Sequence, residues 1–420
     1  MPVSRTRAAF TRSSGVLLHP TSLPGGRIGD EARRFVDWLA AAGQRWWQVL
    51  PLGPPDAHGS PYSSPSAFAG SPALLAHPRA RVSADEIEAF VRQHPYWIGD
   101  WAAHVGGDAV ADQVRFAREW GKVRNHARER GVRILGDIPF YVAANSADTR
   151  GHPELFRQGE IAGVPPDDWS ASGQRWGNPV YDWTAMRNEQ FGWWVERFRR
   201  TLELVDAVRI DHFRGFIAYW SIPERHRTAR HGRWRRGPGR EVFDAVRREL
   251  GPVPVVAENL GVITPAVERL RHEFGMPGCV VLQFLFTEKL RNRPPRPADD
   301  NVVIYTGTHD NDTTNGWWAV LSPRSREQVD AELARWGIDE PRPSWKLIRL
   351  AFATTARTAI VPAQDLLDLG SRARMNHPGR IRGSWRWQLR QEMLGADLAA
   401  ELRELSESSG RIGSGLATRS

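Results

Sequence analysis

The sequence predicts an α/β protein built as a closed (β/α)8 TIM barrel, with insertions in the loops at the C-terminal ends of the strands. Three observations lead there. Eight short apolar runs, each the size of a strand, recur along the 420 residues. Amphipathic helical stretches separate most of them, the alternation that builds a parallel sheet. No G-x-G-x-x-G or Walker A loop follows any run, so a doubly wound open sheet lacks support, and a count of eight favours closure. No internal repeat is present.

The runs are GVLLHPT (15–21), RWWQVLPL (45–52), VRILGDIPF (132–140), VDAVRIDHF (205–213), VPVVAEN (253–259), CVVLQFLF (279–286), NVVIYTGTHD (301–310) and TAIVPAQDLL (358–367). Helical periodicity covers 31–43, with Asp30 as a candidate cap, then 111–131, 189–205, 241–250, 324–337 and 345–359. The helix over 264–274 carries the clearest punctuation: Thr264 as N-cap, Pro265 at the first helical position and Gly275 beyond the end. The reading is one catalytic barrel over 1–420, with insertions at about 53–131, 141–188 and 214–240 and a tail, 411–420, expected to be disordered. All three insertions leave strand C-terminal ends, where barrel enzymes build their sites.

Composition narrows the class. No run of about 18 apolar residues is present, so no transmembrane helix is expected. The N-terminal MPVSRTRAAFTRSSG has no apolar core of the secretory kind. The single Cys279 sits in an apolar run and reads as a small buried hydrophobe in a reducing, cytoplasmic setting. The net charge is +9, but only three of the 57 basic residues are lysine, which points to a bias in residue usage. The densest cluster, Arg225 to Arg240, is either a polyanion patch or, preferably, a solvated loop. The 19 tryptophans suggest stacking platforms for ring-shaped ligands, although most Trp residues pack in cores.

Four of the runs end in acids: Asp137, Asp211, Glu258 and Asp310. A barrel would gather them at one mouth. Four acids could hold a divalent metal or run glycoside chemistry. Metal is the weaker option, because Arg209, His212, Arg214 and His309 already supply positive charge nearby and no ligand spacing such as H-E-x-x-H occurs. Arg209 and Asp211 share a strand face, so the cation should keep Asp211 ionised; alone, that pattern fits a nucleophile and a structural ion pair equally well. Glu258 follows Val253–Ala257, where partial desolvation would raise its pKa toward that of a general acid.

Long motifs add a resemblance. LLHPTSLPGG (17–26), WWQVLPLGP (46–54), SPYSSPSAFAG (60–70), GDIPFYVA (136–143), AGVPPDDWSASGQRWGNPVYDW (162–183), VRIDHFRGFIAYWSIP (208–223), AENLGVITPAVERLR (257–271), YTGTHDNDTTNGWW (305–318) and QDLLDLGSRARMNHPG (364–379) together resemble the 4-α-glucanotransferases, or amylomaltases, of glycoside hydrolase family 77. The resemblance implies a retaining transglycosylase moving α-1,4-glucan segments to the 4-hydroxyl of an acceptor sugar, with no cofactor or metal, no nucleic-acid or membrane partner, and a monomeric or weakly associated state. By motif position Asp211 is the nucleophile, Glu258 the acid/base and Asp310 the third carboxylate. Arg209 and His309 contact substrate at the cleaved bond. Asp137 closes the third strand, and Tyr62, Asp167, Gln174, Trp176 and Asn376 line sugar subsites. The chain departs from the pattern in its short 63–131 segment, in Asp168 where an aromatic is usual, in Asn259 where Asp is usual, and in SPALL (71–75). The rivals are an amylase-like hydrolase and a non-catalytic glucan- or polyanion-binding protein.

Overall fold

The computed structural model describes residues 10–166, 170–289, 299–380 and 382–412. Its strands are β1 (Ser13–Leu17), β2 (Trp46–Gln48), β3 (Arg133–Ile138), β4 (Phe156–Val164), β5 (Gln174–Tyr181), β6 (Ala207–Ile210), β7 (Ala218–Pro223), β8 (Arg233–Arg236), β9 (Val255–Ala257), β10 (Gly278–Val281), β11 (Val302–Tyr305) and β12 (Thr358–Pro362). Eight of them close into a barrel in the order β1-β12-β11-β10-β9-β6-β3-β2, and these are the eight apolar runs. The other four form a separate sheet, β5-β4-β7-β8.

The chain divides into two compact units. The first falls within Met1–Leu50, Lys122–Leu135 and Met276–Ser420. There β1 pairs in parallel with both β2 and β12, with Leu17 opposite Gln48 and Pro362. Gly15 is required at that crossing, since a Cβ on it would lie 2.4 Å from Trp46. Trp46 and Trp47 are fully buried beside it. The expected strand 279–286 stops at Val281, and Leu282–Lys289 is helical. The helix predicted over 345–359 spans Pro343–Ala353 and stops short of 359, because β12 begins at Thr358. The tail is ordered further than expected: Arg411 is fully buried and donates to the Ser13, Ala351, Phe352 and Thr354 carbonyls, while 413–420 lie outside the described residues.

The second unit falls within Pro51–Gly121 and Gly136–Gly275. Its β6 and β9 run parallel, with Ile210 opposite Ala257. The four-stranded antiparallel sheet occupies stretches read from sequence as loops. Ile161, Ile222, Ala229 and Trp220 pack together on it. Its outer strand corrects the Arg-rich loop: Arg233 and Arg235 lie on β8, and both pair with Glu160 of β4. The helix Gly192–Leu204 buries Trp193, Trp194 and Phe198, with the Arg197 guanidinium 5.1 and 5.2 Å from the two indole rings. Half of the described tryptophans are buried, and Trp176 and Trp234 are the exposed pair among them. Asp30 is the first residue of its helix, with Gly29 in the cap position. No helix among the described residues is long and apolar enough to cross a membrane.

Candidate active site

In the second unit the chemistry begins where β3, β6 and β9 end. Asp137 is the penultimate residue of β3, and Asp211 and Glu258 immediately follow β6 and β9. Because Ile210 and Ala257 are directly paired, the two carboxylates leave neighbouring strands side by side. Arg209 joins the acids. Its Nη1 donates to Asp137 Oδ2 at 2.6 Å and its Nη2 to Asp211 Oδ1 at 3.0 Å. Tyr62 Oη donates to the same Asp137 oxygen at 2.8 Å, so Tyr62 serves polar chemistry and is more than packing.

The exposures separate the roles. The Asp137 side chain is fully enclosed, Arg209 is 6 % exposed and Asp211 31 %. Burial pushes Asp137 up to about 7, aided by the Asp211 charge and opposed by Arg209 and Tyr62. Burial alone would weaken the charge on Arg209, and Asp137 and Asp211 more than reverse that. Asp137 therefore anchors the guanidinium, and the more open Asp211 presents a carboxylate to the solvent side.

Sequence reasoning counted His212 among the groups that supply positive charge, and the structure corrects that, because burial keeps its imidazole neutral. His212 adopts left-handed backbone angles, φ 51° and ψ 45°, unusual for a residue with a Cβ. That turn aims its N–H at Glu258 Oε2, 2.7 Å away. Its ring meets the edge of Trp176 with centroids 5.0 Å apart, and burial holds the imidazole neutral, with its pKa lowered to about 4. The residue after the presumed nucleophile thus orients the presumed acid by its backbone, which residue type alone does not reveal. Trp176 is 38 % exposed, and its Nε1 donates to Gln174 Oε1 at 3.0 Å. Asp167 and Asp168 lie outside the described residues. Asn259 donates to Glu268 Oε1 at 2.6 Å, using the amide group that an Asp would lack.

In the first unit Asp310 lies in the loop after β11, several residues past the strand end. Asn376 Nδ2 donates to its Oδ1 at 2.7 Å, and Arg374 Nη2 to its carbonyl at 2.7 Å. His309 Nε2 is 3.3 Å from the same carboxylate oxygen. Asn376 N in turn donates to the His309 carbonyl at 3.0 Å. So Asp310, His309 and Asn376, predicted separately, form one cluster. His19 lines a pocket with His309 and Arg374, and burial together with His309 lowers its pKa to about 3.

The sequence profile of the glycoside hydrolase family 77 4-α-glucanotransferases matches residues 18–95 and 109–393. The chain belongs to that family. It is 41 % identical to the 4-α-glucanotransferase of Thermus thermophilus over 96 % of this chain and 99 % of the relative. It is 36 % identical to the chloroplastic/amyloplastic enzyme of Arabidopsis thaliana over 98 % and 87 %. Among solved structures, the amylomaltase of Streptococcus agalactiae in complex with acarbose superposes with a TM-score of 0.88 at 30 % identity, covering 95 % of this chain and 99 % of that one. An α-amylase from Geobacillus thermoleovorans shares the fold, with a TM-score of 0.54 at 11 % identity. As a family 77 4-α-glucanotransferase, the enzyme transfers glucan segments. The family match is interrupted over residues 96–108, inside the segment read as shortened, where this chain has the helix Ile98–Val105.

Proposed function

We propose that the transfer proceeds with retention through a covalent glucosyl–Asp211 intermediate. Glu258 protonates the glycosidic oxygen as the Asp211 carboxylate attacks the anomeric carbon, and the reducing-end fragment leaves. Glu258, now a base, takes the proton from an acceptor 4-hydroxyl, which attacks the anomeric carbon and frees Asp211. Asp310 is assigned to the sugar hydroxyls, and Arg209, His309, Tyr62, Asp137, Asp167, Gln174, Trp176 and Asn376 to substrate positioning. The donor and acceptor are α-1,4-glucans, and no step calls for a cofactor.

The observation that carries this reading is the pairing of Ile210 with Ala257, which sets Asp211 and Glu258 on adjacent strands. Retention needs two carboxyl groups about 5–5.5 Å apart, a spacing that suits neighbouring strand ends. Asp211 accepts from the Arg209 guanidinium, and Glu258 accepts the backbone N–H of His212. Transfer outruns hydrolysis when a bound acceptor sugar gains effective molarity over water, and the exposed Trp176 face offers a stacking surface for such a ring.

Maltotriose tests the reaction class. Chromatography of the products is expected to show glucose together with maltodextrins longer than the substrate. A rise in reducing ends without longer products would assign the same carboxylates to a hydrolase. Binding without products would leave only a glucan-binding protein.

A further inference from the structure

Among the buried carboxylates that the proposed chemistry leaves unused, one ties together both ends of a loop. Asp365 lies just after β12 and is 1 % exposed. Its donors are all neutral: Thr306 Oγ1 at 2.5 Å and Thr314 Oγ1 at 2.7 Å reach Oδ2, and the Thr314 N–H reaches Oδ1 at 2.7 Å. Burial pushes its carboxyl up, and those three bonds pull against that shift.

The donors stand at the two ends of one loop. Thr306 is the first residue after β11, and Thr314 opens the helix Thr314–Val320. Between them lie His309 and Asp310. The loop has little slack of its own. Thr308 donates through both N and Oγ1 to Asn311 Oδ1, at 2.8 and 2.9 Å, and its Oγ1 accepts from Asp310 N at 3.3 Å. Gln283 Nε2 donates to the Asp312 carbonyl at 3.0 Å, and a Cβ on Gly307 would come within 2.7 Å of that nitrogen. Such a loop moves as a unit, and its two ends are tied to a single side chain.

We propose that Asp365 is a positioning residue for Asp310, closing the 306–314 loop so that the Asp310 carboxylate is held at its working place. This rests on the assignment of Asp310 as the third carboxylate. Asp365 touches no sugar; it acts through the two threonines. An amide cannot replace it. With its oxygen toward the hydroxyls an Asn loses the acceptor for Thr314 N, and with its nitrogen there it offers donors where two hydroxyls donate. Loosening the loop should reduce stabilisation of the transition state more than binding of the ground state, so the loss should fall on kcat.

The test uses the full chain on maltotriose, at a temperature where circular dichroism shows each variant folded. Thr306→Val keeps the volume and removes one hydroxyl; it is expected to lower kcat about 10-fold with KM within about twofold, and Thr306→Ser to restore kcat. Asp365→Asn is expected to lower kcat about 100-fold. If Asp365→Asn does not fold, the Thr306→Val and Thr306→Ser pair decides alone. Full kcat per folded molecule in Thr306→Val, with only a lower Tm, overturns the proposal. So does a loss confined to KM. Asp310→Asn, run alongside, separates the two ideas. If its kcat falls while that of Thr306→Val does not, the positioning role alone is lost. If its kcat is intact, the assignment of Asp310 fails and this proposal with it.

Discussion

Asp137 and Asp365 are both buried carboxylates, one bonded to the guanidinium that reaches Asp211 and the other to both ends of the loop that carries Asp310, and they are held in opposite ways. Asp137 faces a guanidinium and a phenol, and the same guanidinium reaches on to Asp211. Asp365 faces two hydroxyls and a backbone amide. The first arrangement couples charge to the proposed nucleophile. The second fixes the shape of a loop and sends no charge onward. A buried ion pair left with one partner is costly, whereas removing one neutral donor from a carboxylate that keeps its others costs less. Losses around Asp137 should therefore be larger, and electrostatic in kind.

Arg209→Met probes that difference most strongly. It strands Asp137 in a fully enclosed site and removes the cation from Asp211, so it is expected to cost roughly 3–5 kcal/mol in denaturant unfolding and to abolish most activity. Thr314→Val, which removes one neutral donor from Asp365, is expected to cost only about 1–3 kcal/mol. Equal losses in the two variants would mean that the charge at Asp137 gives it no special standing.

Acid titration extends the contrast to one histidine in each unit. His19 is held near 3 and His212 near 4, both mainly by burial, below an unfolded value of about 6.5. A depressed histidine favours the folded state above its unfolded pKa, and that stability is lost as pH falls through the window toward the folded value. Thermal melts between pH 7 and 4 should thus show Tm falling, and His19→Gln should flatten the slope. An unchanged slope would show that His19 is protonated in the native state.

The smallest effect concerns Asn259. Asn259→Asp replaces a donor to Glu268 by an acceptor, yet Glu268 keeps Arg271 Nη2 at 2.7 Å. The expected loss is about 1 kcal/mol, read from the unfolding midpoint, with kcat changed less than 10-fold. A larger drop in kcat would tie Asn259 to Glu258 directly.

The barrel was legible because its strands are continuous apolar runs, the signature of strands buried on both faces. The second sheet was not. QRWGNPVY carries three strand-poor residues, Gly, Asn and Pro, and RWRR reads as a charge cluster, so only pairing with β4 and β7 makes them strands. Asp211, Glu258 and Asp137 stood out as acids closing apolar runs. Asp310 was read in the same way, but its strand stops at Tyr305, so it stands in a loop beyond the strand end and its motif is the better guide to it. The role of His212 depends on a backbone angle, and that of Asp365 on two threonines brought together by β11 and β12; neither leaves a pattern in residue order.

The central claim is that Asp211 carries the glucosyl group between donor and acceptor. The Glu258→Gln variant, treated with an α-maltosyl fluoride whose leaving group needs little acid help, should accumulate that intermediate. Peptide mass spectrometry after acid quench is then expected to find the added sugar on the peptide containing Asp211, at Asp211 itself. An adduct on another carboxylate, or no adduct together with a product of inverted anomeric configuration by NMR, would contradict the account.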